Sequence, residues 1–357
     1  MTTRRELLGQ AAGVMAGVGF TGCGLMRRAA AQAPGPARPR ETVVNGKRIT
    51  TVDIHAHCHI PEALALMGEK VRFPGLVIGP DRIKVMDEQR IDIEALSVNP
   101  NFWDKAERDL QAQIVKLQNE KVAEICAKTP ERFVGLASVA LAHPDLAAEQ
   151  LQDAVKRLGM RGALVGGSVN GMELADPTLH PFWAKAEELG CVIFIHPQGT
   201  PELEASGRLK GSGGLYNVIG NPLETTIALS HLILEGTLDR FPGLKICAAH
   251  AGGYLPSYPD RTDAMCANRP DLCPVPLKKK PSEYLKQLYF DSLVFTPEGL
   301  RHLIAEVGVS QIVIGTDWPF PWTKTPVDHI LETPGLSDAD RIAMLGETAS
   351  KLLGIKS

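Results

Sequence analysis

Histidines cluster in one short stretch of this chain, TVDIHAHCHI at residues 51–60. His55 and His57 lie near the end of a run that predicts a β-strand, and alternation along a strand points both side chains to the same side. Paired neutral imidazoles are typical ligands of zinc and other divalent ions. Cys58 has the opposite parity, and His59 follows the predicted end of the strand. We therefore predict His55 and His57, but neither of these two neighbours, as metal ligands.

Three other predicted strands also end in a group that can bind a metal ion. These groups are His196 within FIHPQ, His250 within AAHAGG and Asp317 within GTDWPF. Imidazole nitrogens and one charge-compensating carboxylate suit zinc, and a catalytic site keeps one coordination position open for water. A single strand-end histidine is more simply explained as a buried, hydrogen-bonded core residue. The agreement of four strand ends favours a metal site instead.

Strand-like and helical patterns alternate from residue 45 onward and indicate the fold that positions these groups. Short runs rich in Val, Ile, Leu and Ala predict parallel strands buried on both faces, with amphipathic helices between them. Eight repeats predict an α/β fold of one domain, a (β/α)8 TIM-type barrel over 45–357, whose functional groups gather at the carboxyl ends of its strands. A doubly wound sheet is the alternative, but it would need a glycine-rich phosphate turn where HAHCH stands. The predicted strands are 50–57, 93–100, 133–141, 162–169, 191–197, 244–252, 288–293 and 311–319.

Composition narrows the classes of partner. The formal net charge is -3, and no stripe of lysine and arginine follows residue 40, so the sequence does not indicate nucleic-acid binding. No apolar run reaches the roughly 18–20 residues that a membrane span needs. The sequence thus indicates neither a nucleic-acid partner nor a membrane span.

The first 33 residues resemble a twin-arginine export signal. Arg4 and Arg5 precede a Gly/Ala-rich, weakly apolar run, and Ala31-Gln32-Ala33 offers a cleavage site, with residues 34–44 as a linker. The predicted location is the periplasm or the exterior of the cell. A lipoprotein signal at Cys23 and a disordered tail are the alternatives. Because the twin-arginine route exports folded proteins, the signal also suggests that a metal or similar group is loaded first.

The cysteines beyond the signal show no CxxC spacing typical of zinc sites. Cys191 and Cys247 lie in apolar strands and are predicted core residues. Cys266 and Cys273 are close enough in sequence to close a short loop in an oxidising compartment. Folding before export would take place among reduced thiols, so we expect these two cysteines to stay unpaired.

Over roughly 45–355 the sequence resembles the amidohydrolase superfamily, in particular its aminocarboxymuconate-semialdehyde decarboxylase-like branch of metal-dependent decarboxylases. The resemblance is densest in PLETTIALSHLILEGTLDRFPGLKICAAHAGG, NRPDLC and IVIGTDWPFP. It implies metal ligands at His55, His57, His196 and Asp317. It also implies one divalent ion, zinc with manganese as the alternative, because GALVGGSV lacks the lysine that bridges two metals in binuclear relatives.

The resemblance further implies roles for three residues around the metal. His250 would act as acid and base beside a metal-bound water, and Asp317 would take part in proton transfer. Arg261 would grip a substrate carboxylate, with a homodimer interface near it, although a surface arginine paired with Asp260 or Asp263 is the plainer interpretation. Phe320 would line the pocket.

Departures from the branch leave the substrate open. The loop after the first strand has no clear counterpart of a second substrate arginine, for which Arg72 and Arg82 are candidates, and GSGGLYNVIGN replaces a tryptophan-rich stretch. We expect nonoxidative decarboxylation of an unsaturated or aromatic carboxylic acid. The rivals are a metal-dependent hydrolase of a lactone, ester or amide and a noncatalytic exported metal-binding protein.

Overall fold

The computed structural model of the protein describes residues 41–71, 73–99, 102–320 and 322–356. The predicted signal peptide at 1–33 lies outside the described residues, and so does most of the predicted linker at 34–44. The end of that linker is ordered into a small antiparallel pair, Val43–Val44 with Lys47–Arg48. No helix among the described residues has the length and apolar character to cross a membrane.

Eight parallel strands form the centre of the fold, one for each predicted strand. They are shorter than the apolar runs, because a residue belongs to a strand only where a neighbouring backbone pairs with it. In chain order, β1 to β8 are Val52–Cys58, Ile93–Val98, Phe133–Gly135, Gly162–Val165, Val192–Ile195, Lys245–Ala248, Tyr289–Asp291 and Ile312–Val313.

The strands close into a barrel. One sheet has the order β1-β2-β3, and a second has the order β8-β7-β6-β5-β4. The first seam joins β1 to β8, where the amide of Ile54 donates to the carbonyl of Ile314 at 3.0 Å. The second joins β3 to β4, where the amide of Ala137 donates to the carbonyl of Gly162 at 2.8 Å. Closure at both seams confirms the predicted (β/α)8 barrel.

Helices follow the strands around the outside of the barrel. Many begin with proline in the first turn, where its missing amide costs no intrahelical hydrogen bond. Beyond β6, Pro256 and Pro259 precede the first turn of the helix Asp260–Asn268 and so do not interrupt it. The α-helices are Pro61–Leu66, Pro80–Gln89, Arg108–Lys128, Pro144–Lys156, His180–Leu189, Pro201–Ala205, Asn221–Leu234, Thr237–Arg240, Asp260–Asn268, Pro297–Val307, Pro326–Glu332, Asp338–Ile342 and Thr348–Leu353.

A buried apolar cluster supports the carboxyl end of the barrel. It includes Leu164 of β4, Phe194 of β5 and Val313 of β8. The ring centroid of Phe194 lies 4.9 Å from that of His55. Alternation along β5 places Phe194 and His196 on the same side of the strand, so the cluster packs directly beneath the histidines.

The cysteines confirm one expectation and correct another. Cys191 and Cys247 are buried, as their apolar strands predict. Cys266 and Cys273 are joined in a disulfide bond, so the expectation that they stay unpaired is wrong. The helix Asp260–Asn268 brings the two Cα atoms to 5.4 Å, a separation that suits a disulfide.

Candidate metal centre and active site

Five predicted residues converge at the carboxyl ends of four strands. Ligand-type atoms of His55, His196, His250 and Asp317 all lie within 4.8 Å of one another. His57 joins them, with its Nε2 3.0 Å from the Nε2 of His55. The side chains of His55 and His57 therefore point to the same side of β1, as the alternation predicts.

One oxygen of Asp317 lies at the centre of this group. Its Oδ1 is 3.1 Å from the Nε2 of His55, 2.9 Å from that of His57 and 3.8 Å from that of His196. All four side chains are at most 6% exposed. Two imidazole nitrogens at 3.0 Å are a poor contact unless they share a proton or a cation. Three such nitrogens around a carboxylate form a donor set suited to a divalent ion.

The outer nitrogens of these three histidines are already occupied. Each Nδ1 has a partner away from the centre, which fixes the ring and leaves Nε2 pointing inward, as is usual for metal ligands. The Nε2 of His196 is buried and has no hydrogen-bond partner among the described residues. The Nδ1 partners are Asp291 for His55 at 2.6 Å, Ser97 for His57 at 3.0 Å and the carbonyl of Pro197 for His196 at 2.9 Å.

The protonation states in the centre also suit a cation. Burial lowers the pKa of His57 well below its usual value and that of His196 to about 4, so both imidazoles are neutral. Burial opposes ionisation of Asp317, but the neighbouring histidines, His55 first, hold its pKa well below the usual range. Burial would also lower the pKa of His55, but Asp317 and Asp291 outweigh it and raise the value to about 10. A metal ion would have to displace that proton from His55.

His250 differs from the other histidines of the cluster. Its Nε2 lies 3.4 Å from Oδ2 of Asp317, the oxygen on the other side of the carboxylate. Its Nδ1 has no hydrogen-bond partner among the described residues. Its side chain is 19% exposed, more than those of the other histidines here. His250 is therefore the most accessible histidine of the group.

A cavity of about 370 Å³ opens beside His250. Apolar and aromatic side chains dominate its walls, and the residues described there include no arginine or lysine. Such a cavity is large enough for one aromatic ring and its substituents. Its apolar lining comes from Val218, Pro222, Ala251, Tyr254, Leu293, Val294, Phe295 and Trp322.

The other predicted substrate contacts vary in their distance from this cavity. The ring of Phe320 lies 6.2 Å from that of His57, at the edge of the centre. Arg261 is exposed on its helix and is not among the residues described around the cavity. Arg82 is buried, and its Nε donates to Oε2 of Glu94 at 2.6 Å, so its guanidinium is held within the barrel. Arg72 lies outside the described residues.

Sequence reasoning missed two residues that contact the centre directly. Asp291 accepts a hydrogen bond from Nδ1 of His55, and Nε1 of Trp322 donates to Oδ2 of Asp317 at 2.7 Å. Asp291 carried a signal, because an acidic residue directly follows the apolar residues LYF of its predicted strand. Trp322 carried none, because it lies in the loop beyond DWPF, whose path the strand pattern does not define.

Known proteins resemble this chain over most of its length. The amidohydrolase family matches residues 52–355. A 2-amino-3-carboxymuconate-6-semialdehyde decarboxylase of Dictyostelium discoideum is 31% identical, with 85% of each chain covered. A gamma-resorcylate decarboxylase of Rhodococcus jostii is 32% identical over 76% of this chain and 86% of its own. The crystal structure of a dihydroxybenzoic acid decarboxylase from Polaromonas with bound manganese is 26% identical, has a TM-score of 0.75, and covers 86% of this chain and 97% of its own. These relatives confirm the resemblance to this branch of decarboxylases.

Proposed function

We propose that this chain, which belongs to the amidohydrolase family, is a metal-dependent nonoxidative decarboxylase of an aromatic carboxylic acid. One observation carries the proposal. His250 lies between a cluster of inward-pointing metal ligands and an apolar cavity of about 370 Å³. A substrate ring in that cavity would present its carboxylate-bearing carbon to His250 and its polar substituents to the centre.

The residues that would hold the ion are His55, His57, His196 and Asp317, because their ligand atoms face one another and their outer atoms are engaged elsewhere. We propose zinc, which suits three nitrogen ligands and one oxygen, with manganese as the alternative because the Polaromonas relative contains it. A divalent ion bound there would polarise an anionic oxygen of the substrate.

His250 is the proposed proton donor. Its imidazolium would transfer a proton to the ring carbon that bears the carboxylate. The bond between that carbon and the carboxylate then breaks, its electron pair restores the aromatic ring, and CO2 leaves. Oδ2 of Asp317 is 3.4 Å from Nε2 of His250 and would orient the imidazole and stabilise its charged form. No electron acceptor is needed.

The walls of the cavity support an aromatic substrate. Tyr254, Phe295 and Trp322 offer ring faces on which a planar acid can stack. We propose that Arg261 meets a second carboxylate only where a homodimer brings it to the mouth of a partner's site, since within one chain it is exposed and away from the cavity. Comparing monocarboxylates with dicarboxylates in wild type and Arg261→Gln tests this role.

The central experiment measures metal content and then CO2 release from a panel of hydroxybenzoates and muconate-like diacids in D2O. Decarboxylation places solvent deuterium on the carbon that loses CO2. Hydrolysis of a lactone, ester or amide would instead place solvent oxygen in the product. CO2 release with deuterium incorporation, abolished by a chelator and restored by zinc or manganese, is the expected result. A protein that binds metal but releases CO2 from no member of the panel contradicts the proposal.

We also propose export through the twin-arginine route, on the basis of Arg4, Arg5 and the following apolar run. The change Arg4→Lys together with Arg5→Lys should retain the protein in the cytoplasm of a host that has this route. Cell fractionation measures the distribution, and Cys23→Ser serves as the matched control for lipoprotein anchoring. Export of the double-lysine variant at the wild-type level would contradict the proposal.

A further inference from the structure

We infer that Asp291 is a positioning residue that links the metal ligand His55 to the backbone of His250, so that metal binding and the acid–base histidine depend on one buried carboxylate. The inference rests on the proposed function for the role of His250. Asp291 ends β7, is fully buried, and was assigned no role by the strand-end pattern.

Four hydrogen bonds converge on this carboxylate. Its Oδ2 accepts from Nδ1 of His55 at 2.6 Å and from the amide of His250 at 2.8 Å. Its Oδ1 accepts from the amide of Ala251 at 2.8 Å and from that of Leu293 at 3.1 Å. One oxygen therefore contacts both a predicted metal ligand and the predicted proton donor, through the ring of the first and the main chain of the second.

The backbone at His250 has an unusual conformation that this carboxylate stabilises. His250 and Ala251 have φ values of 52° and 55°, in the left-handed region that residues with a side chain rarely adopt. Gly252 and Gly253 also have positive φ values, of 75° and 68°. Successive amides in such a turn point into one concavity and form an anion-binding nest. The carboxylate of Asp291 occupies that nest, and the turn sets the direction in which the His250 side chain leaves the backbone.

A neighbouring glycine leaves room for the carboxylate. A Cβ at Gly315 would lie 2.6 Å from Cβ of Asp291 and 3.1 Å from its Oδ2. Gly315 lies just beyond β8, two residues before Asp317, and a side chain there would force the side chain of Asp291 to shift. The position of the Asp291 carboxylate therefore depends on the absence of a side chain at Gly315.

The change Asp291→Asn tests the inference, because an amide cannot replace this carboxylate. Each oxygen accepts from two donors, so the amide nitrogen meets two N–H groups in either orientation. Asp53→Asn is the matched control: Asp53 is also a buried carboxylate, and it accepts from the amide of His55 at 2.9 Å but does not contact His250. Gly315→Ala is the second variant, since it displaces the carboxylate and leaves its chemistry unchanged.

Three measurements are made on each variant: the metal dissociation constant by chelator competition, kcat and KM at saturating metal, and the φ angles at His250 and Ala251 by crystallography. Asp291→Asn should weaken metal binding about 10- to 100-fold. At saturating metal its kcat should remain at least about tenfold low with little change in KM, because His250 is displaced. The two φ angles should change in Asp291→Asn and Gly315→Ala but not in Asp53→Asn.

Recovery of wild-type kcat at saturating metal, with the turn at 250–251 unchanged, would overturn the inference and reduce Asp291 to a partner of His55 alone. If Asp291→Asn does not fold, Gly315→Ala decides by the same criteria. Metal affinity and the turn angles need no substrate. They therefore test the inference even if the protein decarboxylates no acid in the panel, an outcome that would count against the proposed function only.

Discussion

Nε1 of Trp322 donates a hydrogen bond to Oδ2 of Asp317 at 2.7 Å, while the imidazoles of His55 and His57 face Oδ1 of the same carboxylate. The two oxygens of Asp317 thus have different neighbours. Oδ1 faces the candidate metal ligands, and Oδ2 contacts Trp322 and His250, which both line the cavity. This division places Asp317 in contact with both the candidate metal centre and the proposed proton donor, His250.

Trp322→Phe removes the indole donor and keeps an aromatic wall. A hydrogen bond to a charged group contributes roughly 1.5–3 kcal/mol, so we expect kcat/KM to fall about 10- to 100-fold with metal content unchanged. Tyr254→Phe is the matched control, because its hydroxyl in the same cavity donates to the carbonyl of Val218, away from Asp317. Equal losses in the two variants would mean that the contact between Trp322 and Asp317 does not matter to the reaction.

His250→Ala separates chemistry from metal binding. Removal of a general acid–base residue lowers turnover by roughly 10²- to 10⁴-fold. We expect the purified variant to contain the same amount of metal as wild type, measured by elemental analysis. Loss of the metal would show that His250 is a ligand, a role that its place in the cluster also allows geometrically.

His196→Ala should give the opposite pattern. The buried Nε2 of His196 has no hydrogen-bond partner among the described residues. Because we propose that this nitrogen binds the metal ion, the change removes one ligand. We expect the metal content to fall to a small fraction of the wild-type value and activity to fall with it. His231→Ala, on the surface beside Glu235, is the control and should retain both. A His196→Ala protein with full metal content would exclude His196 from the ligand set.

Glu224 should give the protein a pH-dependent stability. Burial raises its pKa from the ordinary value of 4.5 to about 7, despite hydrogen bonds from the amides of Gly199 and Gln198. Between these two values the folded state holds a proton that the unfolded state has lost, so the free energy of unfolding falls as the pH rises from about 4.5 to 7. The full effect is on the order of 3 kcal/mol.

Urea unfolding at pH 5 and pH 7.5 measures this effect, with Glu224→Gln as the comparison. The variant carries no titratable group at this position, so wild type should lose more stability than the variant between the two pH values. Asp53, whose pKa burial also raises to about 7, contributes equally to both proteins. A difference between wild type and variant that stays constant with pH would contradict the prediction.

The disulfide between Cys266 and Cys273 should stabilise the protein modestly. It closes a loop with a sequence separation of 7 residues. Closing a loop of this size lowers the entropy of the unfolded chain and so raises the free energy of unfolding by about 2 kcal/mol. We expect dithiothreitol to lower the urea midpoint of wild type. Cys266→Ser should have the lower midpoint from the start and show no further change with dithiothreitol. An equal response of both proteins to the reductant would argue against the disulfide.

The sequence predicted the barrel and the convergence of the side chains at its strand ends, because both depend on local periodicity. Alternation in TVDIHAH places His55 and His57 together, and each apolar run identifies a strand whose end can be compared with the others. Properties that depend on packing between distant segments could not be predicted from the sequence. The cavity requires Val218, Tyr254 and Phe295 to meet, and the disulfide requires the short helix that brings two cysteines together. Asp291 is an intermediate case. The sequence shows an acidic residue in a predicted strand, but the four N–H groups that donate to its carboxylate could not be predicted from it.

The seam between β1 and β8 has a consequence for biosynthesis. His57 and Asp317 are 260 positions apart, and the amide of Asp317 donates to the carbonyl of His55 across that seam. A nascent chain on the ribosome therefore carries its first two imidazoles long before the matching acid has been translated. The centre can form only after the last strand has docked. Capture of an ion by the proposed ligands would thus be a late event, and a prematurely terminated product without this strand would lack Asp317.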